Sequence, residues 1–262
     1  MLKINEIYQG DCVERMKQLD NNSVDLVVTD PPFNYNKNYG KTSNDNLKEV
    51  EYLEWCKKWI VECYRILKNE GSIYIKIAHK YSYKISNILE QVGFIYQNQI
   101  IWKNVSCFPA KTRFATLYEV ILFFTKSKDY YFDTYAETIP NKFRSWTPTR
   151  DAKLKGQMGD IWLDIKAIYT GTVKHPEVIL KRDGSNKKAH PCQMPKGLSS
   201  RAIKFSTKEG DLVLDPFGGT GTTAVTCKEL NRNFISFEIN PEYIKIANRR
   251  LEQGSIRDWL KC

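Results

Sequence analysis

Long apolar runs are missing from this chain of 262 residues. The longest, Val120 to Phe124, falls far short of the roughly 20 residues needed to span a bilayer. The N-terminal stretch Met1-Leu2-Lys3-Ile4-Asn5-Glu6 lacks an apolar core of the kind a secretory leader needs, so export is not expected. Seven cysteines are scattered, odd in number, and form no Cys-x-x-Cys pair. That argues against a zinc ribbon or a disulfide framework and points to a reduced, cytoplasmic protein without metal. Histidine is scarce too. Of the three, His79 and His175 have no partner visible in the sequence, so neither supports a general-base role. Acidic residues are outnumbered, 30 against 40 Lys and Arg. The resulting charge of +10 favours a polyanionic partner over an acidic protein. Repeats and low-complexity tracts are absent.

What is present alternates between strand and helix. Ser23 to Thr29 reads as a buried parallel strand running into Asp-Pro-Pro. Tyr52, Trp55, Trp59, Cys63 and Ile66-Leu67 recur at helical spacing, closed by Asn69-Glu70-Gly71. Strands are expected at Ser72–Ile77, Phe94–Trp102, Tyr118–Phe124, Asp211–Asp215 and Asn233–Glu238. Helices are expected at Tyr83–Gln91, Pro195–Phe205 and Pro241–Leu251, the last opening on a suitable proline. The fold class is therefore α/β, a doubly wound and mostly parallel sheet.

Between 129 and 189 the pattern dissolves into single aromatics among Lys, Arg, Pro, Gly and Thr, as in Arg144-Ser145-Trp146-Thr147-Pro148-Thr149-Arg150. From 137 to 189 eleven Lys or Arg face six acids, so this stretch carries half the net charge. It reads either as a solvated, loop-rich insertion or as a DNA-reading one, basic for phosphates and aromatic for bases. The flanking motifs favour DNA.

Those motifs are two. Val213-Leu214-Asp215-Pro216-Phe217-Gly218-Gly219-Thr220-Gly221 is a strand, a glycine turn and the start of a helix near Thr222. Such a turn sets backbone N–H groups at the carboxyl edge of a sheet, where open α/β folds bind ligands. Glu238, at the end of the next strand, is placed to accept hydrogen bonds from two ribose hydroxyls. The spacing Gly219-x-Gly221-x-x-Ala224 also satisfies a dinucleotide fingerprint, but too little chain follows for a dinucleotide-binding half.

The second motif is Thr29-Asp30-Pro31-Pro32-Phe33. An exocyclic amine is a poor nucleophile, because its lone pair is delocalised into the ring. Asp30 offers a carboxylate and Pro31 a carbonyl to hold its N–H groups. Consecutive prolines remove two donors, so the turn presents acceptors only. Phe33 can stack on a base swung out of a duplex.

Together, in this order, the two motifs resemble the amino-group DNA methyltransferases of the permuted class, whose catalytic half comes first. The Asp-x-Phe-x-Gly-x-Gly element from Asp215 to Gly221 resembles the S-adenosylmethionine (AdoMet) loop of such enzymes, which implies AdoMet as methyl donor. Gly10-Asp11-Cys12 matches a segment that contacts the cofactor's adenine in the family. His190-Pro191-Cys192-Gln193-Met194-Pro195 matches an element that holds the methionyl end, with Met194 where lysine is usual. Lys196 is then the candidate replacement. The resemblance implies catalysis by Asp30, Pro31, Pro32 and Phe33. It implies cofactor binding by Asp11, Cys12, Asp30, His190, Gln193, Lys196, Asp215, Phe217, Gly218, Gly219, Thr220, Gly221, Thr222 and Glu238. Asp-Pro-Pro accompanies adenine N6 in the family and Ser-Pro-Pro cytosine N4, so adenine is expected.

The expected organisation is a catalytic half (1–128), a target-recognition insertion (129–189) and an AdoMet-binding half (190–262). The partner is double-stranded DNA, in a restriction–modification setting with a cognate endonuclease and a homodimer as further implications. Two rivals share the fold, a cytosine-N4 enzyme and a DNA-binding relative without catalysis. Pro191-Cys192-Gln193 also resembles the nucleophile tripeptide of cytosine-C5 enzymes. There it follows the cofactor loop, whereas here it precedes it, so Cys192 reads as a bystander.

Overall fold

A computed structural model of the chain describes residues 2–37, 39, 45–103, 111–139, 156–168, 175–180 and 189–253. The first half runs β1 (Glu6–Gln9), α1 (Cys12–Met16), β2 (Val24–Thr29), α2 (Glu49–Ile66), β3 (Leu67–Ile77), α3 (Ser82–Val92), β4 (Ile95–Lys103) and β5 (Tyr118–Thr125). The short strands β6 (Thr138–Ile139), β7 (Gly156–Gln157) and β8 (Ile161–Trp162) follow. The chain closes with α4 (Lys196–Ser206), β9 (Leu212–Asp215), α5 (Thr222–Glu229), β10 (Asn233–Glu238) and α6 (Pro241–Glu252).

Eight strands form one sheet in the order β1-β10-β9-β2-β3-β5-β4-β8. Every neighbouring pair is parallel except the two that involve β5, so one reversed strand sits in an otherwise parallel sheet. Both faces are covered, which explains why the central strands are mostly apolar along their length. Val27, Ile73, Ile75, Val120, Leu122 and Phe124 point into one core with Met16, Trp59 and Leu89 of α1, α2 and α3. Their neighbours Leu26, Val28, Tyr74, Ile121 and Phe123 point into the other, against Leu198 and Ile203 of α4 and Ala224 of α5. The period of two thus splits each run between two layers.

Helix α2 forms because Tyr52, Cys56, Trp59, Cys63 and Ile66 return every three or four residues to one buried face. It does not end in the expected turn at 69–71. Leu67 passes straight into β3 and pairs with Val24, and pairing resumes only at Leu26 with Ser72, so 68–71 bulge out within the strand. Gly71 is needed there, because a Cβ would lie 2.9 Å from the Lys68 carbonyl oxygen.

The edge strand β1 and helix α1 escaped sequence reading. β1 has four residues, none fully buried, and α1 has five. Asp11 caps α1, accepting the backbone N–H groups of Val13 (2.9 Å) and Glu14 (3.2 Å). The segment expected as an insertion is also partly woven into the core. β8 extends the main sheet beside β4, and Arg201 of α4 pairs with Glu137 (2.7 Å) and Asp164 (2.6 Å). The stretch 144–150 lies outside the described residues. Among the described residues no helix is long and apolar enough to cross a membrane.

Candidate active site

After β9 the chain turns to β10 on one side, and after β2 it turns to β3 on the other. Because β9 and β2 are neighbours, their carboxyl ends open the crevice where such sheets take ligands. A cavity of about 340 Å³ lies there. Its wall joins the ends of four strands: Gly10-Asp11-Cys12 after β1, Asp30 to Phe33 after β2, Asp215 to Thr220 after β9, and Glu238 of β10. Thr222, His190, Cys192, Gln193 and Met194 complete that part of the wall. Residues far apart in the chain therefore meet in one crevice.

Asp215 ties the two motifs together. One of its oxygens accepts the Thr29 hydroxyl (3.1 Å) and the Phe217 N–H (3.1 Å), and the other accepts the Thr223 hydroxyl (2.6 Å). Burial pushes its carboxyl up to about 6 against those hydrogen bonds. Its work is to brace the loop. Glu238 accepts the N–H groups of Gly219 (2.8 Å) and Asn240 (2.7 Å), and burial raises its carboxyl as well. A carboxylate has about four acceptor positions, so capacity remains toward the cavity.

The glycines divide by role. A Cβ at Gly218 would fall 2.0 Å from Ser236 Oγ. Gly219 is left-handed, with φ of +51°, and lies across from His190 Nε2. Gly221, expected at the ligand, is not in the cavity wall. It caps α5 at φ +79° and lets α6 approach, since its Cβ would meet Ala247 Cβ at 2.7 Å.

Lys196 also departs from expectation. Its ammonium pairs with Glu229 (2.5 Å) and its backbone N–H donates to Glu177 (2.8 Å), which leaves it outside the cavity wall. As the first residue of α4 it reaches Glu229, the last residue of α5. Met194 does line the cavity, so the usual lysine position faces it with a thioether. Gln193 spends its amide on residues 177–179, donating to the Glu177 carbonyl (2.7 Å) and accepting the Ile179 N–H (3.3 Å). His190 is packed between Tyr39 (5.7 Å) and Tyr243 (4.6 Å).

The turn from Asp30 to Phe33 rests on two groups the motif does not contain. Tyr52 donates its hydroxyl to the Pro32 carbonyl at 2.8 Å. Buried Asp45 accepts the backbone N–H groups of Asn34 (2.7 Å), Tyr35 (3.1 Å) and Lys37 (2.8 Å). Asn34 and Asn36 both sit at φ +57°, so the segment just after Phe33 is tightly wound. A third group stands behind Asp30. Lys76 of β3 is 7% exposed. Its ammonium lies 3.2 Å from Asp30, 2.6 Å from Glu119 of β5, and 4.6 Å from the centre of the Phe33 ring. Burial pushes the Asp30 carboxyl up to about 7, with Lys76 pulling it down and Glu119 raising it. The pattern Ile73-Tyr74-Ile75-Lys76-Ile77 held a signal for Lys76, a single charge inside a buried strand.

Cys192 lines the cavity, but the surrounding protein and the Asp30 carboxylate raise its thiol above the ordinary range. A nucleophilic thiolate needs the opposite. Trp102 is buried, and its indole N–H donates to the Ile165 carbonyl at 2.8 Å, so it belongs to the core.

This arrangement of sheet, loop and acceptor turn is that of an amino-group methyltransferase, and the comparisons agree. The family model described as DNA methylase, that of the N6/N4 methyltransferases, matches residues 24–249. The type II methyltransferase M.HpaI of Haemophilus parainfluenzae is 38% identical over 93% of this chain and 73% of its own. The solved structure named PvuII DNA methyltransferase (cytosine-N4-specific) superposes with a TM-score of 0.69, at 23% identity over 94% of this chain and 85% of that one. A structure named M1.HpyAVI-SAM complex gives 0.60 at 26% identity, over 94% and 98%. The chain belongs to the N6/N4 DNA methylase family.

Proposed function

We propose that the chain transfers a methyl group from AdoMet to the exocyclic N6 of an adenine swung out of double-stranded DNA. The observation that carries this is the shared cavity, in which the acceptor turn from Asp30 to Phe33 faces the glycine loop and Glu238. The residues present fit AdoMet. Glu238 has acceptor capacity for ribose hydroxyls, and Gly218 and Gly219 keep side chains out of the way. The first turn of α5, rather than Lys196, is left to meet the methionyl carboxylate. When bound, AdoMet supplies an electrophilic methyl on a sulfonium.

The chain's own residues do the rest. Asp30 and the Pro31 carbonyl accept the two amine N–H groups and free the nitrogen lone pair, while Phe33 stacks on the base. With AdoMet bound, the freed lone pair would face the methyl that the sulfonium gives up, and Asp30 accepts the amine proton that must leave. Proximity and alignment supply much of the rate. The basic segment 129–189 supports contact with DNA phosphates, and its relative's name, a type II methyltransferase, supports a restriction–modification setting.

Aspartate rather than serine before Pro31 favours adenine. The fold shared with the PvuII cytosine-N4 enzyme keeps cytosine N4 as the second reading, because acceptors for two N–H groups suit either amine. Incubation with duplex DNA and methyl-labelled AdoMet, followed by digestion to nucleosides, separates them. Labelled N6-methyladenine is expected, and labelled N4-methylcytosine would overturn the base assignment. Asp30→Ala is expected to lose turnover while still binding DNA. Retained turnover would remove Asp30 from the chemistry.

A further inference from the structure

Lys76 stands where the strand pattern calls for an apolar side chain. Tyr74, two residues earlier on the same face, and Ile121 across the ladder are both buried in one core. A buried ammonium is costly unless paired, and this one is paired twice. Its partners come from two strands, Asp30 at the end of β2 (3.2 and 3.3 Å) and Glu119 of β5 (2.6 Å). The Phe33 ring lies 4.6 Å away. One ammonium therefore touches both side chains of the acceptor turn that carry the chemistry.

We propose that Lys76 is the positioning residue of this site, holding Asp30 ionised and aimed at the amine and fixing the Phe33 ring beside it, with Glu119 as its second counter-ion. The proposal rests on the amine-methylating reading above. Two carboxylates around one ammonium leave a single negative charge, which suits a site that takes up a sulfonium cation. Without the ammonium, two like charges would share a water-poor space and one would keep a proton. Asp30 protonated is a donor on one oxygen and holds the amine badly. The charged or titratable groups facing Asp30 are Lys76 from β3, Glu119 from β5, Asp215 from β9, and Cys192 and Tyr39 on the cavity wall.

The test uses the full chain as wild type, Lys76→Gln, Lys76→Arg, Glu119→Gln and the Lys76→Gln/Glu119→Gln double variant. Two readouts run in parallel. One is the infrared titration of protonated carboxyl groups without ligands, and the other is the pH profile of single-turnover methyl transfer. In Lys76→Gln the carboxyl midpoint and the acid limb both move up by about one pH unit or more, about a fivefold loss or greater at the wild-type midpoint that is recovered at higher pH. Lys76→Arg keeps the limb near wild type, Glu119→Gln moves it down, and the double variant returns toward wild type. An unmoved limb with a lower plateau in Lys76→Gln would mean a merely structural lysine and overturn the proposal. Should Lys76→Gln fail to fold, Glu119→Gln decides by whether its limb moves down. If the wild type transfers no methyl group, the functional reading fails, while the infrared midpoint alone still upholds or overturns the coupling.

Discussion

Gly221→Ala puts a Cβ into the tightest helix packing beside the glycine loop. Two costs follow from the structure. Gly221 sits at φ +79°, where an L side chain costs about 1–2 kcal/mol. Its Cβ would also lie 2.7 Å from Ala247 Cβ and 3.2 Å from Ala247 Cα, and overpacking of that kind costs about 1–3 kcal/mol. The sum is about 2–5 kcal/mol, a large share of the 5–15 kcal/mol (roughly) that holds a domain folded. At about 2–4 °C per kcal/mol for a chain of this size, the melting temperature should fall by roughly 4–20 °C. Gly219→Ala is the control. It is also left-handed, at φ +51°, but its nearest neighbour would be His190 Nε2 at 3.4 Å, an ordinary separation, so only the backbone cost of about 1–2 kcal/mol applies. Adding Ala247→Gly to Gly221→Ala removes the overlap between side chains but leaves the new methyl close to the backbone of α6, so recovery is partial. Urea unfolding of the single and double variants gives the coupling. If Gly221→Ala costs no more than Gly219→Ala, or if the coupling stays below about 0.5 kcal/mol, the packing argument is wrong.

Three further outcomes are expected. Asp45→Ala strips three backbone N–H groups of their acceptor, so the turn after Phe33 loosens and turnover falls about 100-fold, the scale of a small misplacement of reacting groups; unchanged turnover would show that the clamp is dispensable. Asp30 and Asp215 titrate near 7 and 6 in the folded chain against an ordinary 3.8, so the native state holds more protons across that window and stability falls as pH rises through it. For Asp215 the displacement corresponds to about 3 kcal/mol, fully felt above pH 6 and absent below about 4; urea midpoints of wild type and Asp215→Asn should converge in acid and separate toward neutrality, and parallel curves would refute it. Cys192→Ala should keep turnover in the nucleoside assay, because its thiol is held protonated, and a dead variant would bring thiolate chemistry back.

How much of this was legible in the sequence depends on what kind of interaction places each residue. Strands β2, β3, β5, β9 and β10 announce themselves through short apolar segments, since burial on both faces leaves few polar positions. The two motifs are legible because turns and glycine loops demand particular residues locally. What escapes is long-range polar bracing. Asp45 reads as one acid among polar neighbours until the fold brings it under the backbone of 34–37. Glu119 reads as the polar start of β5 until β3 delivers Lys76 beside it. Lys196 shows the reverse failure: adjacency in sequence suggested a replacement for the lysine missing at 194, yet one turn of helix aims it at Glu229. A side chain's neighbours along the chain fix its backbone, while its partner is fixed by which strand lies next in the sheet. For that reason the acceptor turn could be named from its own residues, whereas the ammonium paired with Asp30 could be found only once β2, β3 and β5 were in register.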